Sequence, residues 1–301
     1  MRLAAIDIGS NAIRLQITKV IEYDKLITFK KLQYVRFPLR LGQDVFANKQ
    51  ISEYNQERFI KLMSAYKTLL DLYQVDHYYG CATSAMRESK NGKQLAQRAW
   101  DELGLKINII TGLKEAEMIN SVISLDLDEK IYLHIDVGGG STELNFYYKQ
   151  KKVASKSFKI GSVRRMEHHD SPKVWNEIEK WVKSELKGHK EKVTAIGTGG
   201  NINKIYELSP RARKRKISLE NIMRVQDYLR NLTMDELLNR LQLNPDRADV
   251  IVPASEIYVH AMMAAGAQNM LVPDVGLKDG INYYLFEKYY TNRGKIFVKN
   301  S

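Results

Sequence analysis

The sequence is poor in cysteine and lacks long apolar runs. Cys81 is the single cysteine among 301 residues, which excludes an intrachain disulfide and is typical of a cytosolic protein. No apolar run is long enough to span a bilayer, so a membrane is not an expected partner. The first 15 residues place an aspartate and a glycine where a signal peptide would have its apolar core. We therefore expect no signal peptide and a cytoplasmic location.

The remaining composition is that of an ordinary soluble globular protein. Hydrophobic residues make up 44% and charged residues 27%, and the length suggests two domains. The formal net charge of +12 favours polyanionic partners such as nucleotides or inorganic polyphosphate, although it also serves solubility. No zinc-finger spacing or aromatic RNA-binding signature accompanies the basic residues, so nucleic acid is not expected. The basic loop 209–216 is either solvated or part of a polyanion track.

A buried strand followed by a glycine-rich turn lies near the middle of the chain. Residues 131–137 are mostly β-branched, aromatic or apolar and predict a strand. The turn that follows consists of Gly138, Gly139, Gly140, Ser141 and Thr142. Glycines allow successive N–H groups to point at one anion, and Asp136 beside them would repel a phosphate unless a hard cation lay between. A tight hairpin without a ligand is the alternative, because a lone glycine motif is a weak signal.

The same pattern occurs at the start of the chain. Residues 6–11, Ile-Asp-Ile-Gly-Ser-Asn, repeat the arrangement of residues 135–141, and an alternating apolar segment follows each copy. The repeat predicts two similar lobes, each with a phosphate-binding hairpin. In the first copy, Asp7 would face a metal and Ser10 and Asn11 would donate to a phosphate oxygen. Arg14 on the next strand is expected to point into solvent, with a direction towards the loop as the alternative.

Two later strands also end in small residues. Residues 80–84 and 197–201 occupy corresponding positions in the two predicted lobes, and both would face a cleft. The second loop offers three glycines as phosphate-binding residues: Gly197, Gly199 and Gly200. Arg87 would grip a phosphate bidentately or form a surface ion pair with Glu88. Elsewhere, residues 36–50 are predicted to be a loop, and residues 245–266 to be helical with an interruption at Pro253.

On these motifs the chain resembles the exopolyphosphatase / guanosine pentaphosphate phosphohydrolase family. The matching segments are AAIDIGSNAIRL at 4–15, GCATSAMRES at 80–89, TGLKEAEMI at 111–119, HIDVGGGSTEL at 134–144, AIGTGGNINKI at 195–205, RADVIVPA at 247–254 and VGLKDGI at 275–281. The resemblance implies an α/β fold of two duplicated actin-like (ribonuclease H-like) lobes with an interdomain cleft, dividing into residues 1–125 and 126–301. It also implies a homodimer.

The resemblance assigns roles to individual residues. Glu115 matches the catalytic glutamate, with Arg87 as its companion. The metal-associated carboxylates match Asp7, Asp136 and Glu143, which would hold Mg²⁺ or alternatively Mn²⁺. Phosphate contacts match Ser10, Asn11, Arg87, Gly138, Gly139, Gly140, Ser141 and Thr142. The chain departs from the family pattern at Lys114 and Glu117, where a glutamate and an arginine are usual.

The function that follows is metal-assisted hydrolysis of a terminal phosphoanhydride. The expected substrate is inorganic polyphosphate, with guanosine pentaphosphate as a further one, and Glu115 would orient or deprotonate the attacking water. The residues alone leave helix-end electrostatics as another explanation of Glu115 and Glu117. Two other functions remain open on the same fold: an ATPase or kinase, and a sensor that binds guanosine penta- or tetraphosphate with little turnover.

Overall fold

The computed structural model describes residues 1–24, 26–123, 127–210, 215–290 and 298–299. The chain forms two compact units: Met1–Val122 with Gly276–Ser301, and Ile123–Val275. Each unit contains one six-stranded mixed sheet. In the described part of the chain, no helix has both the length and the apolarity needed to cross a membrane. Of the predicted basic loop 209–216, residues 211–214 lie outside the described residues.

Within the residues that the structure describes, the first unit has six strands and six helices. Its strands are β1 (Arg2–Ile8), β2 (Ile13–Tyr23), β3 (Leu26–Phe37), β4 (His77–Ala82), β5 (Ile107–Ile109) and, from the end of the chain, β12 (Val298–Lys299). Its helices are α1 (Leu41–Asn48), α2 (Glu53–Leu72), α3 (Ser84–Glu88), α4 (Gly92–Leu103), α5 (Gly112–Ile123, whose last residue the division assigns to the second unit) and α12 (Leu277–Tyr289).

The second unit is built from the same kinds of element. Its strands are β6 (Ile131–Val137), β7 (Thr142–Tyr148), β8 (Lys151–Phe158), β9 (Val193–Thr198), β10 (Lys216–Ser218) and β11 (Asn269–Leu271). Its helices are α6 (Ser162–Met166), α7 (Lys173–Glu185), α8 (Gly200–Leu208), α9 (Leu219–Arg230), α10 (Pro245–Ala248) and α11 (Ile251–Ala264). A π-helical turn, Glu236–Arg240, precedes α10.

The strand order confirms the predicted duplication. The first sheet contains the order β3-β2-β1-β4-β5, and the second contains β8-β7-β6-β9-β11. In both, the first three strands of the unit are antiparallel neighbours and the next ones are parallel. The two aspartates occupy equivalent positions, because Asp7 is paired with Cys81 and Asp136 with Thr198 across the parallel junction. Both units are therefore copies of one α/β design.

Apolar patterning explains why these segments form the cores. Six of the seven residues of β1 are buried, as expected for a strand covered on both faces. Helix α2 begins after Ser52, whose hydroxyl accepts from the N–H of Asn55 and caps the helix. It buries Phe59, Met63, Tyr66 and Leu70, which recur at helical spacing.

Two local predictions were wrong. The predicted loop 36–50 contains helix α1, which starts after Arg40 in a left-handed conformation (φ 58°) without a capping side chain. The sequence therefore carries no start signal for it. The predicted break at Pro253 lies earlier, between Ala248 and Ile251. Pro253 stands in the first turn of α11, where a missing N–H leaves no hydrogen bond unmade.

The last helix belongs to the first unit, although the expected second domain runs to the C-terminus. Helix α12 packs on β1, β2 and β4. Gln16 Nε2 donates to Asp279 Oδ1 over 2.9 Å, and Asn282 Nδ2 donates to Thr18 Oγ1 over 3.2 Å. These hydrogen bonds attach α12 to β2 and explain the division. The predicted boundary at 125 lies outside the described residues.

Candidate active site

The turn between β1 and β2 is held by hydrogen bonds from the helices that follow it. Its ends are joined by Gly9 N–H donating to the Ala12 carbonyl over 3.2 Å. The start of α1 then ties down two turn carbonyls: Gly42 N–H donates to Ser10 O, and Arg40 N–H to Asn11 O. The predicted phosphate ligand Ser10 is buried and shares a 2.8 Å hydrogen bond with the hydroxyl of Ser84.

Asp7 has a cationic partner within its own unit. Arg14 does not point into solvent as predicted; its guanidinium lies 2.9 Å from Asp7 Oδ2, and the aspartate side chain is 8% exposed. Asp7 and Arg14 are direct partners in the β1–β2 register. The charge that a metal would balance at Asp7 is therefore already balanced by arginine, which disfavours Asp7 as a metal ligand.

The second glycine turn has its carbonyl groups bound on one side. Gly138 O accepts from the N–H of Ser162, and Gly139 O accepts from the N–H groups of Val163 and Arg164, over 2.9 to 3.0 Å. Gly140 O accepts from Arg164 Nε over 2.8 Å. Helix α6 and the Arg164 side chain thus bind all three glycine carbonyls.

The geometry of the peptide unit gives this arrangement a consequence for anion binding. In a planar trans peptide the C=O and the following N–H point in opposite directions. Three consecutive carbonyls directed at α6 therefore turn the N–H groups of Gly139, Gly140 and Ser141 away from α6. Successive N–H groups facing one side form an anion-binding nest. The predicted phosphate cradle is thus a property of the main chain.

The hydroxyls of this turn are used inside the unit. Ser141 Oγ donates to Glu143 Oε1 over 2.8 Å, and Thr142 Oγ1 donates to the Ile160 carbonyl over 2.7 Å. Thr142 is completely buried. The geometry therefore leaves the N–H groups of the turn, and not these two hydroxyls, for a phosphate, and the predicted phosphate contacts of Ser141 and Thr142 stay a prediction.

Asp136 and Glu143 form a pair of carboxylates. They are direct partners in the β6–β7 register, and an oxygen of one lies within 4.8 Å of an oxygen of the other. Glu143 is 2% exposed, and its Oε1 also accepts from Ser157 Oγ over 2.8 Å. Because adjacent carboxylates repel each other, this pair suits a hard divalent cation, whose preferred ligands are carboxylate oxygens.

The duplication makes the two aspartates a natural comparison. Arg14 follows Asp7 by seven residues and Glu143 follows Asp136 by seven, and both pairs flank a four-residue turn. One unit therefore places a cation opposite its aspartate and the other places a second anion there. The donor set fits a metal at Asp136 and Glu143 but not at Asp7.

Glu115 lies in the first turn of α5, in the first unit. It is half-buried, whereas Glu117 is exposed and forms a 3.0 Å ion pair with Lys114. Lys114 and Glu117, the two residues that depart from the family pattern, thus form an ion pair with each other, and Glu117 is more exposed than Glu115. Burial raises the pKa of the Cys81 thiol, and the nearby carboxylates of Asp7 and Glu115 raise it further. A protonated thiol is a poor nucleophile.

Arg87 is held in place by the main chain. Its guanidinium donates to the Ile110 carbonyl over 2.7 Å, so the alternative of an ion pair with Glu88 is not what fixes it. The residue is half-buried at the end of the short helix α3. This leaves other guanidinium N–H groups for a phosphate oxygen, since arginine carries five donors.

The three glycines of the predicted loop 197–201 have different surroundings. A Cβ at Gly197 would lie 2.4 Å from Met270 Sδ, so this glycine allows close packing of β9 on β11. Gly199 has a φ of +109°, and a Cβ there would lie 3.6 Å from Asp136 Oδ1. Gly200 lies against the Arg247 guanidinium. Of the three, Gly199 is the one placed at the metal-suited pair.

Sequence reasoning missed a set of four polar residues on the adjacent strands β8, β7, β6 and β9, of which three are buried and Ser155 is half-buried. They are His134, Asn145, Ser155 and Thr198, and they are joined by hydrogen bonds. Complete burial lowers the pKa of His134 to about 3. The sequence signal for His134 is its position: it precedes Asp136 by two residues and therefore shares its face of the strand.

Comparison with known proteins gives one family. Residues 20–289 match the model of the Ppx/GppA phosphatase family. The bifunctional 3-dehydroquinate synthase/phosphatase of Fusobacterium nucleatum is 32% identical over 90% of this chain and 44% of its own length. Exopolyphosphatase 2 of Mycobacterium tuberculosis is 26% identical over 93% of this chain and 97% of its own length. The guanosine-5'-triphosphate,3'-diphosphate pyrophosphatase of Photobacterium profundum is 24% identical over 95% of this chain and 59% of its own length.

Solved structures have the same fold. The Ppx/GppA family member of Aquifex aeolicus superposes with a TM-score of 0.75 at 25% identity, covering 97% of this chain and 99% of that one. An exopolyphosphatase from Cytophaga hutchinsonii superposes with a TM-score of 0.81 at 22% identity, covering 96% and 98%. The chain thus matches these two structures over nearly their whole length, but it spans less than half of the Fusobacterium relative.

Proposed function

The chain belongs to the Ppx/GppA phosphatase family, and we propose that it hydrolyses the terminal phosphate of inorganic polyphosphate. One observation carries the proposal: the Gly139, Gly140 and Ser141 N–H groups face away from α6, on a turn flanked by the Asp136–Glu143 pair. That combination suits a phosphate and a cation together. A relative named exopolyphosphatase, nearly all of whose length the chain covers, favours polyphosphate.

The residues divide the work between binding and proton transfer. The main-chain nest of the second unit binds oxygens of the terminal phosphate. In the first unit, Ser10 and Asn11 belong to the equivalent turn, and Arg87 keeps guanidinium donors for a phosphate oxygen. Asp136 and Glu143 would hold a divalent cation, Mg²⁺ or Mn²⁺, which would neutralise phosphate charge when bound. Glu115 accepts a proton from the attacking water or orients it. Positioning and electrostatics contribute most of the acceleration in such reactions.

Guanosine pentaphosphate is the second candidate substrate, because a relative with 95% coverage of this chain is named for hydrolysing it. Both substrates end in a phosphoanhydride and would use the same nest and carboxylates. The net charge of +12 suits the longer polyanion better. The two differ in whether a nucleoside is recognised, and that difference can be measured directly.

A parallel assay tests the substrate. Purified protein with Mg²⁺ is given long-chain polyphosphate, guanosine pentaphosphate or ATP at equal terminal-phosphate concentration, and phosphate release is followed. We expect polyphosphate to be hydrolysed fastest and EDTA to abolish release, with excess Mg²⁺ restoring it. Faster hydrolysis of ATP would favour an ATPase, whereas tight binding of guanosine pentaphosphate without phosphate release would favour a sensor.

A further inference from the structure

Four polar side chains form a continuous hydrogen-bonded row across the second sheet. Ser155 Oγ on β8 donates to Asn145 Oδ1 on β7 over 2.6 Å. Asn145 Nδ2 lies 3.0 Å from His134 Nδ1 on β6, and His134 Nε2 lies 2.8 Å from Thr198 Oγ1 on β9. Asn145, His134 and Thr198 are 0% exposed. Water therefore cannot substitute for a lost partner in this row.

The placement of the Asn145 amide sets the direction of the bonds in the row. Asn145 Oδ1 accepts from the Ser155 hydroxyl, and the NH₂ group of Asn145 faces His134. An amide NH₂ only donates, and the Nδ1 atom of His134 must therefore be an acceptor without a proton. The imidazole then carries its single proton on Nε2 and donates it to Thr198 Oγ1.

Thr198 is the end of the row and lies beside Asp136. The two residues are partners in the parallel β6–β9 register, so their side chains share a face. Thr198 is fixed at its carbonyl by the Tyr258 hydroxyl, and the next residue, Gly199, approaches Asp136 Oδ1. Because His134 occupies the acceptor side of the Thr198 hydroxyl, the hydroxyl proton is left to point elsewhere.

We propose that His134 is a positioning residue that directs the Thr198 hydroxyl proton to the Asp136 carboxylate. That hydrogen bond selects which Asp136 oxygen is presented to a bound cation, and Asn145 and Ser155 set its direction by fixing the histidine tautomer. This inference rests on the proposed function, in which Asp136 is a metal ligand. Partners of this kind change metal affinity by about 10–100-fold when they are lost.

Asn145→Asp reverses the row with almost no change in shape. A carboxylate at this position accepts from both Ser155 and His134, so the imidazole proton moves to Nδ1 and Nε2 becomes an acceptor. Thr198 then donates to His134 and no longer to Asp136. We expect the Mn²⁺ dissociation constant, measured by electron paramagnetic resonance, to rise about 10-fold. Thr198→Val should give the same rise, and Thr198→Ser should restore wild-type affinity.

The tautomer is read separately by ¹⁵N NMR of histidine-labelled protein. We expect the Nε2–H form for His134 in the wild type and the Nδ1–H form in Asn145→Asp. Thr194→Val, four residues earlier on β9, is the matched control and should bind Mn²⁺ like the wild type.

The outcomes separate this inference from the function beneath it. A wild-type His134 in the Nδ1–H form would overturn the direction of the row. Unchanged Mn²⁺ affinity in both Asn145→Asp and Thr198→Val would overturn the positioning role while leaving the phosphatase intact. A wild-type protein that binds no Mn²⁺ would overturn the metal site of the proposed function, and this role of Asp136 with it. If Asn145→Asp does not fold, Thr198→Val against Thr198→Ser decides.

Discussion

Replacement of Glu115 by glutamine should lower phosphate release from polyphosphate by about 10²–10⁴-fold, which is the usual contribution of a general base. Glutamine keeps the size of the side chain but replaces one carboxylate oxygen by an NH₂ donor and cannot act as a base. Glu115 is half-buried in the first turn of α5, so the substitution places no new apolar surface in solvent. The loss should appear in kcat, with KM for polyphosphate little changed, because the base acts in the transition state.

Glu117→Gln is the matched control for this experiment. Glu117 lies two residues further along α5, carries the same charge and is exposed, with Lys114 as its ion-pair partner. An exposed pair of this kind contributes little to stability, so the variant should hydrolyse polyphosphate at nearly the wild-type rate. Equal losses in Glu115→Gln and Glu117→Gln would show a general charge effect, and a wild-type rate in Glu115→Gln would remove the residue from the mechanism.

Gly161→Ala should remove most of the activity through the glycine turn. A Cβ at this position would lie 2.6 Å from the carbonyl carbon and oxygen of Gly139 and from the nitrogen of Gly140. All three are main-chain atoms of the turn, so the turn itself must move. A displacement of about 1 Å at a reacting group costs about 10²-fold in rate, and overpacking costs about 1–3 kcal/mol of stability. Phosphate release and thermal unfolding measure the two effects.

Gly276 is a control that separates the steric effect of an added Cβ from the effect of replacing a glycine. Gly161 precedes α6 with φ −158°, and Gly276 precedes α12 with φ −164°. Both backbones are extended, which any residue adopts, but nothing lies within 4 Å of a Cβ at Gly276. Gly276→Ala should therefore retain activity and stability. Normal hydrolysis by Gly161→Ala would mean that the position of the turn does not matter for catalysis.

The parts of the site that the sequence predicts are those with local signals. A run of β-branched and apolar residues ending in aspartate and glycine specifies a strand and its turn from neighbours a few residues apart. The turns after Asp7 and Asp136 were found in this way, and their repetition indicated two similar units. The strand orders confirm that duplication.

The parts that the sequence does not predict depend on residues far along the chain. The hydrogen bonds from the Ser141 hydroxyl to Glu143 and from the Thr142 hydroxyl to the Ile160 carbonyl are set by the tertiary fold. Helix α1 lacks a capping side chain, and its presence depends on Gly42 fitting against Ser10. Burial and tertiary hydrogen bonds decide such positions, and these are not visible in a local window.

The residue spacing in the sequence also distinguishes the two aspartates. Arg14 and Glu143 each follow their aspartate by seven residues. With a four-residue turn between two antiparallel strands, residues at that spacing stand opposite each other. The spacing alone therefore distinguishes an aspartate faced by a cation from one faced by a carboxylate.

This distinction leads to the most direct measurement of the account. Mn²⁺ binding is measured by electron paramagnetic resonance for the wild type, for Asp136→Asn and for Asp7→Asn, which change the same atom at duplicated positions. We predict that Asp136→Asn weakens binding by at least about 10-fold and that Asp7→Asn binds like the wild type, because Arg14 already balances Asp7. Wild-type affinity in Asp136→Asn, or an equal loss in Asp7→Asn, would contradict the assignment of the metal to the second turn.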